Sequence, residues 1–325
     1  MRHLRTASAL LLLTGCAVQD PSIDDGLGST DRRAALAEPA APAADRQFVL
    51  DRLLVPATAS EAVKFGLDLD GDGNVDNALG NVLSALGQAG PDLDLRGSVD
   101  RAIDRGETIQ LVHLRTSDAA AGLWWRGGAD PAPRPCTGPD DAVCRGHLGG
   151  DGRFAVDGAL SATPDLAVTV TGERLATAPG ALHIDVPLGG APLPLDLVSA
   201  RVRARVAGAT LADGAVGGAI RGEEIDRTIT PMIAASVAAT VERSCTPVET
   251  SCGCAPGSTG ATLLALFDRA PRDCAVSFEE VRSSAIVRSL LTPDVDLDGD
   301  GSADALSVGF GLHAVAAGFP APPTE

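Results

Sequence analysis

The sequence predicts an α+β domain: a β-rich body around an antiparallel sheet with a few helices, flanked by two acidic loop segments. Three observations predict it. Segments in the middle of the chain alternate apolar and polar residues, helical periodicity sits towards both ends, and one nine-residue acidic string occurs twice. Apolar residues make up 45% of the 325, enough for one large core, and no heptad or solenoid period appears.

The chain opens Met1-Arg2-His3-Leu4-Arg5, continues with an apolar run over 7–13 and reaches Leu13-Thr14-Gly15-Cys16. A basic start, a short apolar stretch and small residues before a Cys read as a secretion signal over 1–15, too short to span a bilayer. Leu-Thr-Gly-Cys resembles the bacterial lipobox. That resemblance implies cleavage before Cys16, lipidation of its sulfur, and, with Ala17 following, a lipid-anchored protein of the cell envelope at the outer membrane. The lipid on Cys16 would then be the contact with the membrane. Residues 16–45 are rich in Ala, Pro, Asp and Gly and lack aromatic rings. Such a segment builds no core and is expected to be a tether with a reach of roughly 30 Å. One folded domain is expected over 46–320, with a tail at 321–325.

Within that domain, Ser60 is expected to cap a short helix containing Glu61 and Phe65, and Leu79, Val82, Leu83 and Leu86 recur at helical spacing after the first acidic string. Residues 108–114, 166–170, 182–186 and 201–206 alternate as strands with one wet face; Arg201, Arg203 and Arg205 interleave with Val202, Ala204 and Val206. Pro187, Pro192 and Pro194 confine their neighbourhood to turns or a sheet edge. The glycine-rich stretch 214–222 reads as a loop. Residues 223–241 read as a helix with Ile225, Ile229, Met232 and Ile233 on one side and a kink at Pro231. Ser277 is expected to cap a helix with Glu279 and Glu280 in its first turn and Ile286, Leu290 and Leu291 on one face. Leu306, Val308, Phe310 and Leu312 then alternate as a strand.

Apart from Cys16 the chain has six cysteines, Cys136, Cys144, Cys245, Cys252, Cys254 and Cys274. An even number in an exported chain reads as disulfides. Cys136 and Cys144 bracket a short loop and are expected to pair. Cys252 and Cys254 are too close for an easy mutual bridge, so one is expected to join Cys245 and the other Cys274. Zinc would need converging CxxC-like spacing with partner histidines, which the sequence lacks.

The recurring string is Asp68-Leu69-Asp70-Gly71-Asp72-Gly73-Asn74-Val75-Asp76 and Asp296-Leu297-Asp298-Gly299-Asp300-Gly301-Ser302-Ala303-Asp304. Alternate carboxylates ahead of a glycine turn can converge on a hard cation. Both copies resemble the DxDxDG calcium loops of EF-hands, dockerins and thrombospondin type 3 repeats. Carried over, that resemblance implies Ca2+ held by Asp68, Asp70 and Asp72, the Asn74 carbonyl and Asp76. In the second copy it implies Asp296, Asp298 and Asp300, the Ser302 carbonyl and Asp304. The twelfth position, where an EF-hand supplies a bidentate Glu, is Leu79 in one copy and Ser307 in the other. Each shell would be completed by water, Asp294 or a more distant carboxylate, with affinity on the order of 10⁻⁴ to 10⁻³ M and a structural role.

The formal charge of -17 excludes the basic footprint that nucleic-acid binding requires. Aromatic residues are only 3%, with no Tyr, too few for stacking platforms. No HExxH, GxSxG, phosphate loop or dinucleotide fingerprint is present, and the five histidines are scattered. Trp124-Trp125 form the one aromatic cluster, read as one core anchor beside one ring over a loop, with ligand stacking as the alternative. Lipobox, tether, disulfides and paired acidic loops together resemble predicted lipoproteins of myxobacterial type. The expectation is a non-catalytic binding or envelope-structural lipoprotein stabilised by calcium and disulfides. The alternatives are a carrier for an apolar, lipid-like ligand and an extracellular hydrolase. No catalytic residue and no protein or small-molecule partner is identified.

Overall fold

A computed structural model of the chain describes residues 45–88, 94–116, 121–133, 136, 141–157, 165–188, 191–248 and 251–320. The expected signal over 1–15, Cys16, nearly all of the tether and the tail at 321–325 lie outside the described residues. Among those described, no helix is long and apolar enough to cross a membrane.

Leu- and Val-rich alternation produces ten strands. They are β1 (Arg46–Leu54), β2 (Ile109–Arg115), β3 (Gly122–Ala129), β4 (Ala155–Val156), β5 (Leu166–Thr171), β6 (Arg174–Thr177), β7 (Gly180–Leu188), β8 (Ala191–Ala207), β9 (Thr210–Arg221) and β10 (Ala305–Ala316). Pairing is antiparallel throughout and runs β2-β1-β10-β9-β8-β6-β5-β3, and β3 pairs with β2 again. Eight strands therefore close on themselves as a barrel, which removes the exposed sheet edges an open sheet would carry. The class is α+β, as the sequence predicts, but the sheet is closed.

Two strands stand outside the ring. The short β4 pairs antiparallel with the end of β3, and β7 forms a hairpin with the first half of β8, where Pro187 pairs with Pro192 and Asp185 with Pro194. These prolines sit in an edge hairpin, where a missing N–H costs no central ladder bond. Leu182, Ile184 and Val186 with Leu193, Leu195 and Leu197 bury one face of that hairpin.

Helices cover the barrel. These are α1 (Ala59–Phe65), α2 (Ala78–Gln88), α3 (Leu95–Asp104), the short α4 (Gly222–Glu224), α5 (Thr230–Ser244), α6 (Thr259–Phe267), α7 (Phe278–Ser283) and α8 (Ala285–Leu290). Because strands are covered outside as well as filled inside, β10 is buried on both faces from Ala305 to Leu312 and β2 from Ile109 to Leu114. Phe48, Leu50, Leu53, Leu111, Leu114, Leu123 and Phe310 are each under 2% exposed or at that level and lie in one continuous core.

Several expectations are corrected. The stretch 214–222 is no loop: all but its last residue lies in β9, between β8 and β10. Its glycines answer close approach rather than turning, since a Cβ at Gly217 would stand 2.5 Å from the Val308 carbonyl oxygen. Thr58, not Ser60, caps α1, accepting the Glu61 N–H at 3.2 Å. The Ser277 cap forms a full capping box with Glu280, but the helix breaks at Ser284 into α7 and α8, leaving Ile286 and Leu290 exposed while Val287 and Leu291 go inward. The helix after β9 is continuous in direction of chain but passes through a π turn, Ile225–Ile229, before Pro231 enters the first turn of α5, where its missing N–H is tolerated. Both tryptophans lie on β3 at 3% and 2% exposure: Trp125 donates to Gln110 Oε1 at 2.8 Å, and Trp124 stacks on Phe319. Trp125 is thus the core anchor, and Trp124 covers the irregular segment after β10 that carries Phe319.

Candidate metal centres

Both acidic strings fold into the same tight turn. In the first, Gly71 and Gly73 take φ of 86° and 88°; in the second, Gly299 and Gly301 take 74° and 88°. These left-handed positions let successive N–H groups turn inward onto carboxylates. Asp68 accepts from Gly71 and Gly73, Asp70 from Asp72, and Asp72 from Asn74. Asp296 accepts from Gly299 and Gly301, Asp298 from Asp300, and Asp300 from Ser302. At the loop exits Asp76 accepts the Leu69 N–H at 2.7 Å and Asp304 the Leu297 N–H at 3.1 Å.

The converging sets nevertheless differ. Carboxylate oxygens of Asp68, Asp70 and Asp76 lie within 4.8 Å of one another in the first loop, and those of Asp296, Asp298 and Asp300 in the second. Either triad could hold a metal ion, and their all-oxygen donors suit a hard cation. The structure does not bring Asp72 into the first triad, because Asn74 binds it through both its backbone N–H and its side-chain amide. Asp304 stays outside the second. Asn74 and Ser302 are fixed through their N–H groups, donated to Asp72 and Asp300.

The electrostatics follow the geometry. Half-burial pushes the Asp76 carboxyl up to about 6; the Leu69 N–H opposes this, and the like charges of Asp70, Asp294 and Asp72 add to it. Asp296 is held below the usual range, first by the Gly301 N–H, as is Asp72 by Asn74.

The twelfth positions contribute no ligand. Leu79 and Ser307 are both buried, and Asp294 spends its oxygens on the Ser307 N–H at 2.7 Å and the Ser307 hydroxyl at 2.5 Å. Asp294 therefore braces the strand at Ser307. A second brace, absent from the sequence reading, is Asn77, 4% exposed. Its amide donates to Ala62 and Gly309 carbonyls and accepts N–H groups of Gly80 and Gly309. The signal for it was an amide placed one residue past the acidic string and three before Gly80, a helix N-cap position. Leu67, Leu69, Val295 and Leu297 form a small apolar cluster joining the stems of the two loops.

The cysteines pair as Cys136 with Cys144, Cys245 with Cys254 and Cys252 with Cys274. Of the loop bracketed by the first pair, residues 137–140 lie outside the described residues.

Other titratable groups are dispersed. His313 Nδ1 lies 2.5 Å from Asp51 Oδ1, and Arg145 bridges Asp51 to Asp104. His183 on β7 is held between Asp196 at 2.7 Å and Asp185 at 3.5 Å, and these two carboxylates, Asp185 foremost, raise it to about 9 against the opposing effect of burial. A cavity of about 430 Å³ is lined by Arg105, Asp130, His147, Asp151 and Arg153 together with Pro131 and Pro133. The His147 ring is committed to the Ile103 carbonyl at 3.1 Å. No protein-family model, curated protein or solved structure matches the chain.

Proposed function

We propose that the chain is a lipid-anchored envelope protein whose barrel is stabilised by two calcium ions and three disulfides, and which acts by binding or as envelope structure rather than by catalysis. The observation that carries this reading is the pair of matched Asp-Gly loops, each presenting three converging carboxylates. Exposed loops rich in carboxylate oxygen suit calcium, which accepts variable geometry, better than magnesium, which demands a near-ideal octahedron. With no bidentate Glu at position twelve, both sites belong to the weak range of extracellular modules, on the order of 10⁻⁴ to 10⁻³ M. Disulfides and weak calcium sites together fit an oxidising, calcium-rich exterior. Lipid on Cys16 would supply the anchor.

The test is thermal unfolding with calcium and with chelator. At calcium about tenfold above Kd each site contributes about 1.4 kcal/mol, so two sites raise the midpoint by several degrees. Identical midpoints overturn the calcium reading. Incorporation of labelled palmitate that persists in Cys16→Ser overturns the anchor. The described cavity has charged lining residues, so no observation favours the apolar-carrier alternative over this reading.

A further inference from the structure

Along its first half β10 has β9 on one side and no strand on the other, because β1 pairs only from Gly311 onwards. Residues bordering the two acidic loops take the vacant side. Val295, at the mouth of the second loop, bridges Ala305 with N–H to O distances of 3.0 and 3.2 Å. Asp294 accepts the N–H and the hydroxyl of Ser307. The Asn77 amide binds both the N–H and the carbonyl of Gly309 at 2.7 and 3.1 Å, as a neighbouring strand would. Ser307 also ties the two stems to each other, since its hydroxyl accepts the Ala78 N–H at 2.7 Å while donating to Asp294. The chain leaving the first loop and the chain entering the second thus replace β1 along this edge. Leu67 and Leu69 meet Val295 and Leu297 in one apolar cluster with Ala215 and Ala219 of β9 and Ala305 of β10.

We infer that the two loops take up calcium as one coupled unit, filling of either strengthening the other through the shared edge of β10. This rests on the reading of both loops as calcium sites. An ion in one loop fixes its stem, and that stem fixes Ser307 and the common apolar cluster. The second ion then enters a loop whose ordering cost is already met. By linkage the effect must be reciprocal.

Calorimetric titration of the full chain with calcium tests this, beside Asp70→Asn for the first loop, Asp298→Asn for the second, and Ser307→Ala for the connection. The expected result is that each loop variant weakens the surviving site about tenfold, by the same factor in both directions. Ser307→Ala keeps both sites and lowers that factor, leaving only the part carried by the apolar cluster. Should Ser307→Ala fail to fold by circular dichroism, Asp294→Asn, which keeps an acceptor for the Ser307 N–H, replaces it with the same expectation. Single-loop variants whose remaining site keeps its unaltered affinity overturn the coupling and leave the calcium reading standing. No calcium heat in the unaltered chain overturns both.

Discussion

Replacing Asn77 with Ala removes four hydrogen bonds from a side chain that is 4% exposed. The Ala62 carbonyl keeps another donor, the Gly66 N–H at 3.0 Å. The Gly80 N–H and the N–H and carbonyl of Gly309 lose the amide that faces them, and water has little access to the site. At about 1 to 3 kcal/mol for each of these three buried polar groups left without its partner, the loss is on the order of 3 to 9 kcal/mol. That is a large part of the 5 to 15 kcal/mol typical of a folded domain. Denaturant unfolding at fixed saturating calcium measures it as a fall in midpoint at unchanged slope. Asn77→Asp keeps the two accepted hydrogen bonds but loses the two donated ones and brings a charge against the Gly309 carbonyl, so it is expected to cost at least about 2 kcal/mol. A loss below about 1 kcal/mol for Asn77→Ala would refute the assignment of Asn77 as the stand-in for a strand.

Gly217→Ala places a Cβ 2.5 Å from the Val308 carbonyl oxygen and is expected to destabilise by about 1 to 3 kcal/mol; a neutral result in the same unfolding assay would return 214–222 to a loop. His183 contributes stability while charged: its folded value of about 9 lies above the ordinary 6.5, so the contribution is complete below pH 6.5 and disappears as pH rises through 9. It amounts to at most about 3 kcal/mol, reduced by the exposure of Asp196, and His183→Gln should flatten the decline between pH 7 and 9.5; an unchanged pH profile in that variant would contradict the pairing. Cys252→Ser with Cys274→Ser opens a link of sequence separation 22 and is expected to cost about 3 kcal/mol in oxidised protein, read by thermal unfolding; a variant as stable as the parent would contradict it.

The elements legible in the sequence were those whose signal is local. Asp-Gly repetition specified both turns, because a glycine at positive φ and the carboxylates that receive its neighbours' N–H groups all lie within nine residues. Ser277 and Glu280 specified their capping box for the same reason. The alternation at 201–206 marked about a third of β8, since Arg203 and Arg205 are exposed while Val202, Ala204 and Val206 are buried. Cysteine spacing left only two ways to join Cys245, Cys252, Cys254 and Cys274, and the fold chose one.

Signals that depend on distant partners were misread. The glycines of 214–222 read as breakers in the sequence, whereas in β9 they make room for β8 and β10 to approach; that is visible only once Val308 and Leu197 are beside them. Trp124 and Trp125 point to opposite faces of β3 and are both buried, because the barrel is filled within and covered without. The ligand sets were read as identical in the two loops, yet Asn74 diverts Asp72 while Ser302, lacking an amide, leaves Asp300 free to converge.

By itself the sequence determined the class of fold, the two acidic turns and the chemistry they offer, because backbone dihedral preference and the spacing of charge are carried by neighbouring residues. Only the tertiary structure decided that the sheet closes, and that the loops from opposite ends of the domain meet along β10. Closure and meeting depend on pairing between strands far apart in the chain, and such pairing is specified by the shape and hydrogen-bonding of surfaces that exist only after the chain has folded.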